Sequence, residues 1–279
     1  MEIPRKCLAP RFQNLRATLA FALGLLVFVP FAPASAAELR VEISFPASVH
    51  AQPVTGRAFV VLSRRNSPEP RLQTGNWGDA APLFGVDVDQ LKPGAGVVID
   101  STTLGYPIES LKDLPPGDYY AQALLNIYTE FHRADGHVIW AHMDQWEGQQ
   151  FNRSPGNLYS KVEQVHLDPG ASFNLKLSLT EVIPPVHLPQ DTEWVKHIKI
   201  QSPLLTKFWG RPIYLGATVL LPRGYETHPG VRYPVIYHQD HFSLGPPFPF
   251  MTEKPDSESS RFQRGTIFTG NGTPMIFPA

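Results

Sequence analysis

Polar and apolar residues alternate along much of this chain with a period of two. Leu39, Val41, Ile43 and Phe45 alternate with Arg40, Glu42 and Ser44. Successive side chains of a strand point to opposite faces, so this segment predicts one buried and one wet face. Phe59 to Leu62 is a short apolar run that predicts another strand, and Val97 to Ile99 a third. Between them, residues 63 to 82 are rich in Pro, Asn, Gly and Arg and predict a loop.

The clearest strand runs from Asp118 to Tyr128, with Tyr119, Ala121, Ala123, Leu125 and Ile127 as its inner face. Pro115-Pro116-Gly117 forms a turn before it. A turn followed by Tyr119 fits two readings: a tyrosine corner, where the phenol ties a loop to a strand, or an ordinary turn with a packed ring. Asp135-Gly136 is a hairpin signal. It joins a strand ending near His132 to one covering His137 to His142. Phe173, Leu175, Leu177 and Leu179 alternate with polar residues through Thr180 and close the series. No amphipathic helix of good length is expected between residues 38 and 183. The expectation is a mainly β protein whose first domain, residues 38–183, is an antiparallel β-sandwich.

Ile183 to Pro189 is proline-rich, and residues 184–190 predict a stiff, extended linker. Beyond it, Trp194 to Ile200 and Tyr214 to Leu221 read as strands. Val235-Ile236-Tyr237 reads as a third, apolar on both faces as an interior strand should be. From Gly245 onward the chain is rich in Pro, Ser and Gly and has no strong period.

The N-terminus has a different pattern. Arg5, Lys6, Arg11 and Arg16 precede an apolar run from Ala17 to Val29, and Ala34-Ser35-Ala36 follows. This is the layout of a secretory signal peptide over residues 1–36, cleaved near Ala36. The run is short for a bilayer core of about 30 Å. A periplasmic or secreted protein with no membrane anchor after cleavage is expected. The one cysteine, Cys7, leaves with the signal, so disulfides and thiol catalysis are excluded from the mature chain. The 24 basic and 25 acidic residues become 20 and 24, a formal charge of −4. That balance argues against nucleic acid or an anionic membrane surface as a partner. The 29 prolines and 21 glycines favour short strands and many turns.

Residues 195 to 250 carry a resemblance. Ser202-Pro203-Leu204-Leu205, the strand from Tyr214 to Pro222, Gly224-Tyr225 and Tyr233-Pro234-Val235-Ile236-Tyr237 resemble the start of secreted esterases of the esterase D and enterobactin-esterase type. In that family two antiparallel strands precede a parallel sheet. The first domain, through Pro116-Gly117-Asp118-Tyr119, Arg133-Ala134-Asp135-Gly136 and Pro155-Gly156-Asn157-Leu158, also resembles the N-terminal accessory region of some larger members.

The resemblance implies an incomplete N-terminal part of an α/β-hydrolase domain at residues 191–264, and acyl hydrolysis by a Ser-His-Asp triad. In such enzymes the serine lies in Gly-x-Ser-x-Gly on a strained turn, and one oxyanion donor comes from an early loop. No Gly-x-Ser-x-Gly occurs in the 279 residues: Ser243 has Gly245 after it but His241 before it. The expected catalytic set is therefore none. A partial oxyanion loop is expected at Gln239, Asp240 and His241, where Asp240 opposes a developing negative charge. Residues 265–279 depart from the family pattern and read as a non-family tail of the kind a shifted reading frame produces.

Other clusters hold residue types that carry chemistry. His132, Asp135, His137, His142 and Asp144 are ligand types, but 137 and 142 differ by an odd number and point to opposite faces of a regular strand. Solvated hairpin residues are expected there, with no metal site and no cofactor. Trp140, Trp146 and Phe151 with Gln149 and Gln150 would suit a sugar-stacking surface, with core packing as the expectation. Asn152-Arg153-Ser154 and Asn271-Gly272-Thr273 match a glycosylation acceptor. The functional expectation is an exported esterase-family chain without activity on its own. The alternative is a non-catalytic β-sandwich binding module. A small-molecule ester or glycan is the most to be expected as partner.

Overall fold

The computed structural model describes residues 38–75, 80–146, 148, 150–222, 224–239 and 250. The described residues belong to one compact unit. The described chain is mainly β. Its strands are β1 (Leu39–Ser44), β2 (Val54–Ser63), β3 (Leu83–Leu91), β4 (Val97–Asp100), β5 (Gly105–Tyr106), β6 (Gly117–Ile127), β7 (Thr129–His132), β8 (Val138–Ala141), β9 (Leu158–Ser160), β10 (Glu163–Leu167), β11 (Phe173–Val182), β12 (Val195–Gln201) and β13 (Tyr214–Leu220). One short helix, α1 (Pro203–Trp209), lies between the last two.

Nine of these strands make one sheet in the order β4-β1-β11-β9-β6-β2-β3-β5, with β10 also on β6. The expected antiparallel pairing holds for each neighbouring pair of that sheet except one. β1 and β11 run parallel, with Leu39 opposite Phe173 and Ser44 opposite Ser178. The sheet is therefore mixed. A parallel pair needs a long crossover, and here the crossover is most of the sheet itself. β11 passes from β1 to β9 through a register shift between Leu179 and Glu181. A bulge of this kind bends a strand. The sheet curls until β4 comes beside β2 and β3.

The curl encloses the main core. Val41, Ile43, Ala58, Val60, Leu62, Phe84, Ile99, Ala121, Ala123, Leu125, Leu177 and Leu179 are all buried in it. β6 is the central strand, and both of its faces are covered. Tyr119, Ala121, Ala123 and Leu125 face the main core, as the alternation predicted. Leu124 on the other face joins Phe59 and Ile183 in a second apolar cluster, backed by Phe151 and Tyr159. Burying a side chain of the size of Leu124 stabilises by about 1.5–3 kcal/mol.

Three sequence expectations change here. The loop expected at 63–82 holds a one-turn 3-10 helix at Pro70–Gln73. β3 was not foreseen, although Phe84, Val86 and Val88 alternate within it. Val235-Ile236-Tyr237 is not a strand: it has no regular structure and is exposed. A strand exists only where a neighbour pairs with its backbone, and no described strand lies beside these residues.

β12 and β13 pair antiparallel from Val195 with Leu220 to Gln201 with Tyr214. This ribbon sits against the β7–β8 hairpin. The Ala134 amide donates to the Phe208 carbonyl at 2.7 Å. The rings of Phe131 and Trp209 meet edge to face at 5.4 Å.

Candidate functional site

Tyr119 anchors the first notable cluster. Gly117 adopts φ 131°, a conformation that favours glycine, and brings the chain sharply into β6. The Tyr119 hydroxyl then donates to the Pro115 carbonyl at 2.6 Å. The Arg64 guanidinium lies 3.7 Å from the centre of the Tyr119 ring. It donates to the Tyr119 hydroxyl, the Pro115 and Pro116 carbonyls and the Asp118 carbonyl. Burial pushes the phenol's pKa up, against the pull of Arg64. The phenol ties a turn to its strand, so the corner reading describes Tyr119 better than simple packing. This is a structural brace, since its polar atoms are satisfied within the protein.

A second polar cluster covers the outer face of β6. Gln122, Asn126, Asn152, Ser154, Asn157 and Ser160 are buried. Gln122 accepts from the Arg71 amide at 2.9 Å and donates to Glu69 at 2.7 Å and to the Ser160 carbonyl at 3.0 Å. Asn157 accepts from the Ile127 amide and donates to Asn126 and to the Phe151 carbonyl. The His142 Nδ1 lies 3.0 Å from Asn126 Oδ1. These residues bind the loops at 64–75 and 150–157 to the sheet. A buried hydrogen-bond network of this kind rigidifies a fold.

The expected oxyanion loop gives less. Gln239 is exposed and lies in a segment without regular structure. Asp240 and His241 lie outside the described residues, as do Ser243 and the tail at 265–279. The segment leading there is held at its start, where the Tyr233 ring lies 5.8 Å from that of Tyr225.

The ligand-type residues near the hairpin separate into local pairs. His132 Nε2 lies 2.9 Å from Glu130, His137 Nδ1 lies 3.1 Å from Asp135, and the Asp144 carboxylate accepts from the Trp146 amide at 2.7 Å. Among the described residues, no three His, Cys, Asp or Glu are grouped to hold a metal ion. The aromatic set also divides. Phe151 stacks on Phe59 at 4.9 Å in the second core, whereas Trp140 is exposed on β8. Trp146 lies over β13, where a Cβ at Gly216 would strike its ring. Gln150 is exposed and Gln149 lies outside the described residues. Asn152 is buried, with its amide donating to the Arg71 carbonyl and Thr74, so it offers no glycosylation acceptor. Asn271 lies outside the described residues.

The other displaced pKa values have local causes. Hydrogen bonds from the Thr102 side chain and amide hold the Asp100 carboxyl below its usual range. The His197 amide does the same for Asp191. Burial, then the nearby Asp87 charge, pushes Tyr128 up. The cleft at Arg65, Pro68, Leu72, Gln73, Thr74, Gly75 and Ala80, about 320 Å³, is open and carries none of these groups.

α1 was not among the elements expected from the sequence. Its signals were present: Ser202 at the N-cap, Pro203 at the first helical position and Gly210 just past the end. The Ser202 hydroxyl accepts from the Leu205 amide at 3.3 Å, and Gly210 adopts φ 66°. The fold and these clusters define a mainly β protein with a braced corner and an appended two-stranded ribbon. No protein-family model, no curated protein and no solved structure matches the chain.

Proposed function

We propose that this chain is the front part of an exported serine-esterase-type protein, and that its 279 residues do not turn over esters by themselves. Residues 38–183 are a β-sandwich accessory domain, and 191–264 begin an α/β-hydrolase sheet. The observation that carries this reading is the β12–α1–β13 unit. It is an antiparallel strand pair with a Ser-capped turn of helix inside it. Leu221-Pro222 and Gly224-Tyr225 follow directly, then Tyr233-Pro234-Val235. That is the order in which the esterases named above begin their sheet.

Acyl transfer needs a nucleophile activated by a base, with donors aimed at the developing oxyanion. The chain has no serine in a Gly-x-Ser-x-Gly setting. Removing triad members leaves only weak residual catalysis from binding and the oxyanion hole. The test is hydrolysis of a p-nitrophenyl ester by the purified mature chain. The expected result is no release of nitrophenol above the protein-free rate. Steady turnover that copurifies with the chain overturns the reading.

A further inference from the structure

Residues 184–190 read Pro-Pro-Val-His-Leu-Pro-Gln. Among the described residues, none of the seven makes a hydrogen bond through backbone or side chain. All are exposed except Val186, which is partly so. Both ends of the stretch are fixed. The Ile183 amide donates to the Asn157 carbonyl, and the Ile183 carbonyl accepts from the Gly156 amide, each at 2.9 Å. At the other end the Thr192 amide donates to the Val195 carbonyl at 2.8 Å. The turns at 92–95, 100–103 and 133–137 differ, because each is closed by its own backbone bond.

An endopeptidase takes its substrate as an extended strand and pairs with the substrate's free amides and carbonyls. Exposed backbone without internal bonds is where chains are nicked. Residues 184–190 offer such backbone without any unfolding, whereas the closed turns must first open. The sequence then selects the bond. A bond that leads into proline is a tertiary amide, with the ring where the leaving amine must sit. That removes Ile183–Pro184, Pro184–Pro185 and Leu188–Pro189. Of the aliphatic residues Ile183, Val186 and Leu188, the first and last precede proline. Val186 alone joins a small apolar side chain to an ordinary amide, that of His187. A small specificity pocket of the elastase kind accepts such a side chain.

We propose that Val186–His187 is a proteolytic processing site for an endopeptidase with a small apolar specificity pocket, and that the cut chain stays together as two pieces. One water adds across the C–N bond, so Val186 gains a carboxyl group and His187 a free amine. The second piece is held by contacts that do not pass through the linker. The Arg133 guanidinium lies 5.4 Å from the centre of the Phe208 ring, and that of Arg211 lies 5.4 Å from the Phe131 ring. Gly210 packs so closely on β7 that a Cβ there would come within 2.5 Å of the His132 carbonyl oxygen. The Ala134–Phe208 bond and the Phe131–Trp209 contact add to these. This inference does not rest on the esterase reading, because it is read as fragment mass and not as turnover.

The probe is pancreatic elastase, added in trace amount to the purified chain. After denaturation, mass spectrometry should show a fragment that ends at Val186. On a native sizing column the cut protein should elute where the uncut chain does. Val186→Asp puts a charge into an apolar pocket, and His187→Pro turns the scissile bond into a tertiary amide. Each should slow this cut by about tenfold or more. Neither residue makes a hydrogen bond among the described residues, and an unaltered melting curve checks that each variant is folded. Cuts in the exposed stretch at 232–237 would shorten only the second piece, so the readout is the end at Val186. A chain that yields no fragment ending there overturns the proposal. So does a cut between residues 186 and 187 that neither substitution slows, or a first piece that elutes apart from the second.

Discussion

Tyr119 shows how one hydroxyl can organise a turn. It donates to the Pro115 carbonyl and accepts from Arg64, in a largely buried place. Replacing a satisfied donor by a hydrogen atom leaves its partners short of a bond. Tyr119→Phe is expected to cost about 1–3 kcal/mol, measured by urea denaturation, with the far-ultraviolet spectrum unchanged. Asp100 carries a pH signature. Its carboxylate accepts from the Thr102 amide and hydroxyl, and its folded pKa is lowered. A group with a depressed folded pKa stabilises above its unfolded value and loses that contribution as the pH falls through the folded one. Denaturation midpoints followed downward from about pH 5 should fall less steeply for Asp100→Asn than for the native chain. Equal slopes would remove Asp100 from the account.

The β2–β6 pair is the element on which the sheet depends. It runs from Gly56 opposite Ile127 to Ser63 opposite Tyr120. Gly56 has no room for a side chain, because a Cβ there would overlap the Asn126 carbonyl oxygen. That obstacle is backbone in the centre of the sheet and cannot swing aside. Gly56→Ala is expected to destabilise by about 2 kcal/mol or more, seen as a lower midpoint in thermal melting. The opposite holds at Gly94 and Gly136, which meet nothing nearby and carry only the cost of a positive φ. The alternation of β1, β6 and β11 was legible because one face of each meets the core. β3 was overlooked although Phe84, Val86 and Val88 alternate in it, whereas β9 and β10 were hidden. The few buried residues of β9 and β10 become a pattern only once β6 lies beside them. The Val235–Tyr237 stretch failed in the other direction: its composition suits a strand, but no described neighbour completes it.

At the scale of the molecule, stability should be uneven. β2 and β6 are covered on both faces, by the main core and by a mixed apolar and polar layer, whereas β12 and β13 are mostly exposed along their length. Backbone amides open locally where few buried contacts hold them. Hydrogen exchange should therefore be slowest in β2 and β6 and clearly faster in β12 and β13. Equal protection across both would mean that the ribbon is covered in solution. Among the described residues, no helix is long and apolar enough to cross a membrane.

What the sequence determined is what local chemistry determines. Alternation marked β1, β6 and β11 as strands, the runs Trp194 to Ile200 and Tyr214 to Leu221 fell within a residue of β12 and β13, and Asp135-Gly136 set the β7–β8 turn, whose Arg133 amide bonds the His137 carbonyl. The order of residues also holds no Gly-x-Ser-x-Gly in these 279 positions. Tertiary structure alone decided that β1 runs parallel to β11, that the outer face of β6 is buried under a polar network, and that the ribbon stays mostly exposed. These depend on which distant segments meet. Period-two patterns mark a buried face, and they do not say which partner buries it.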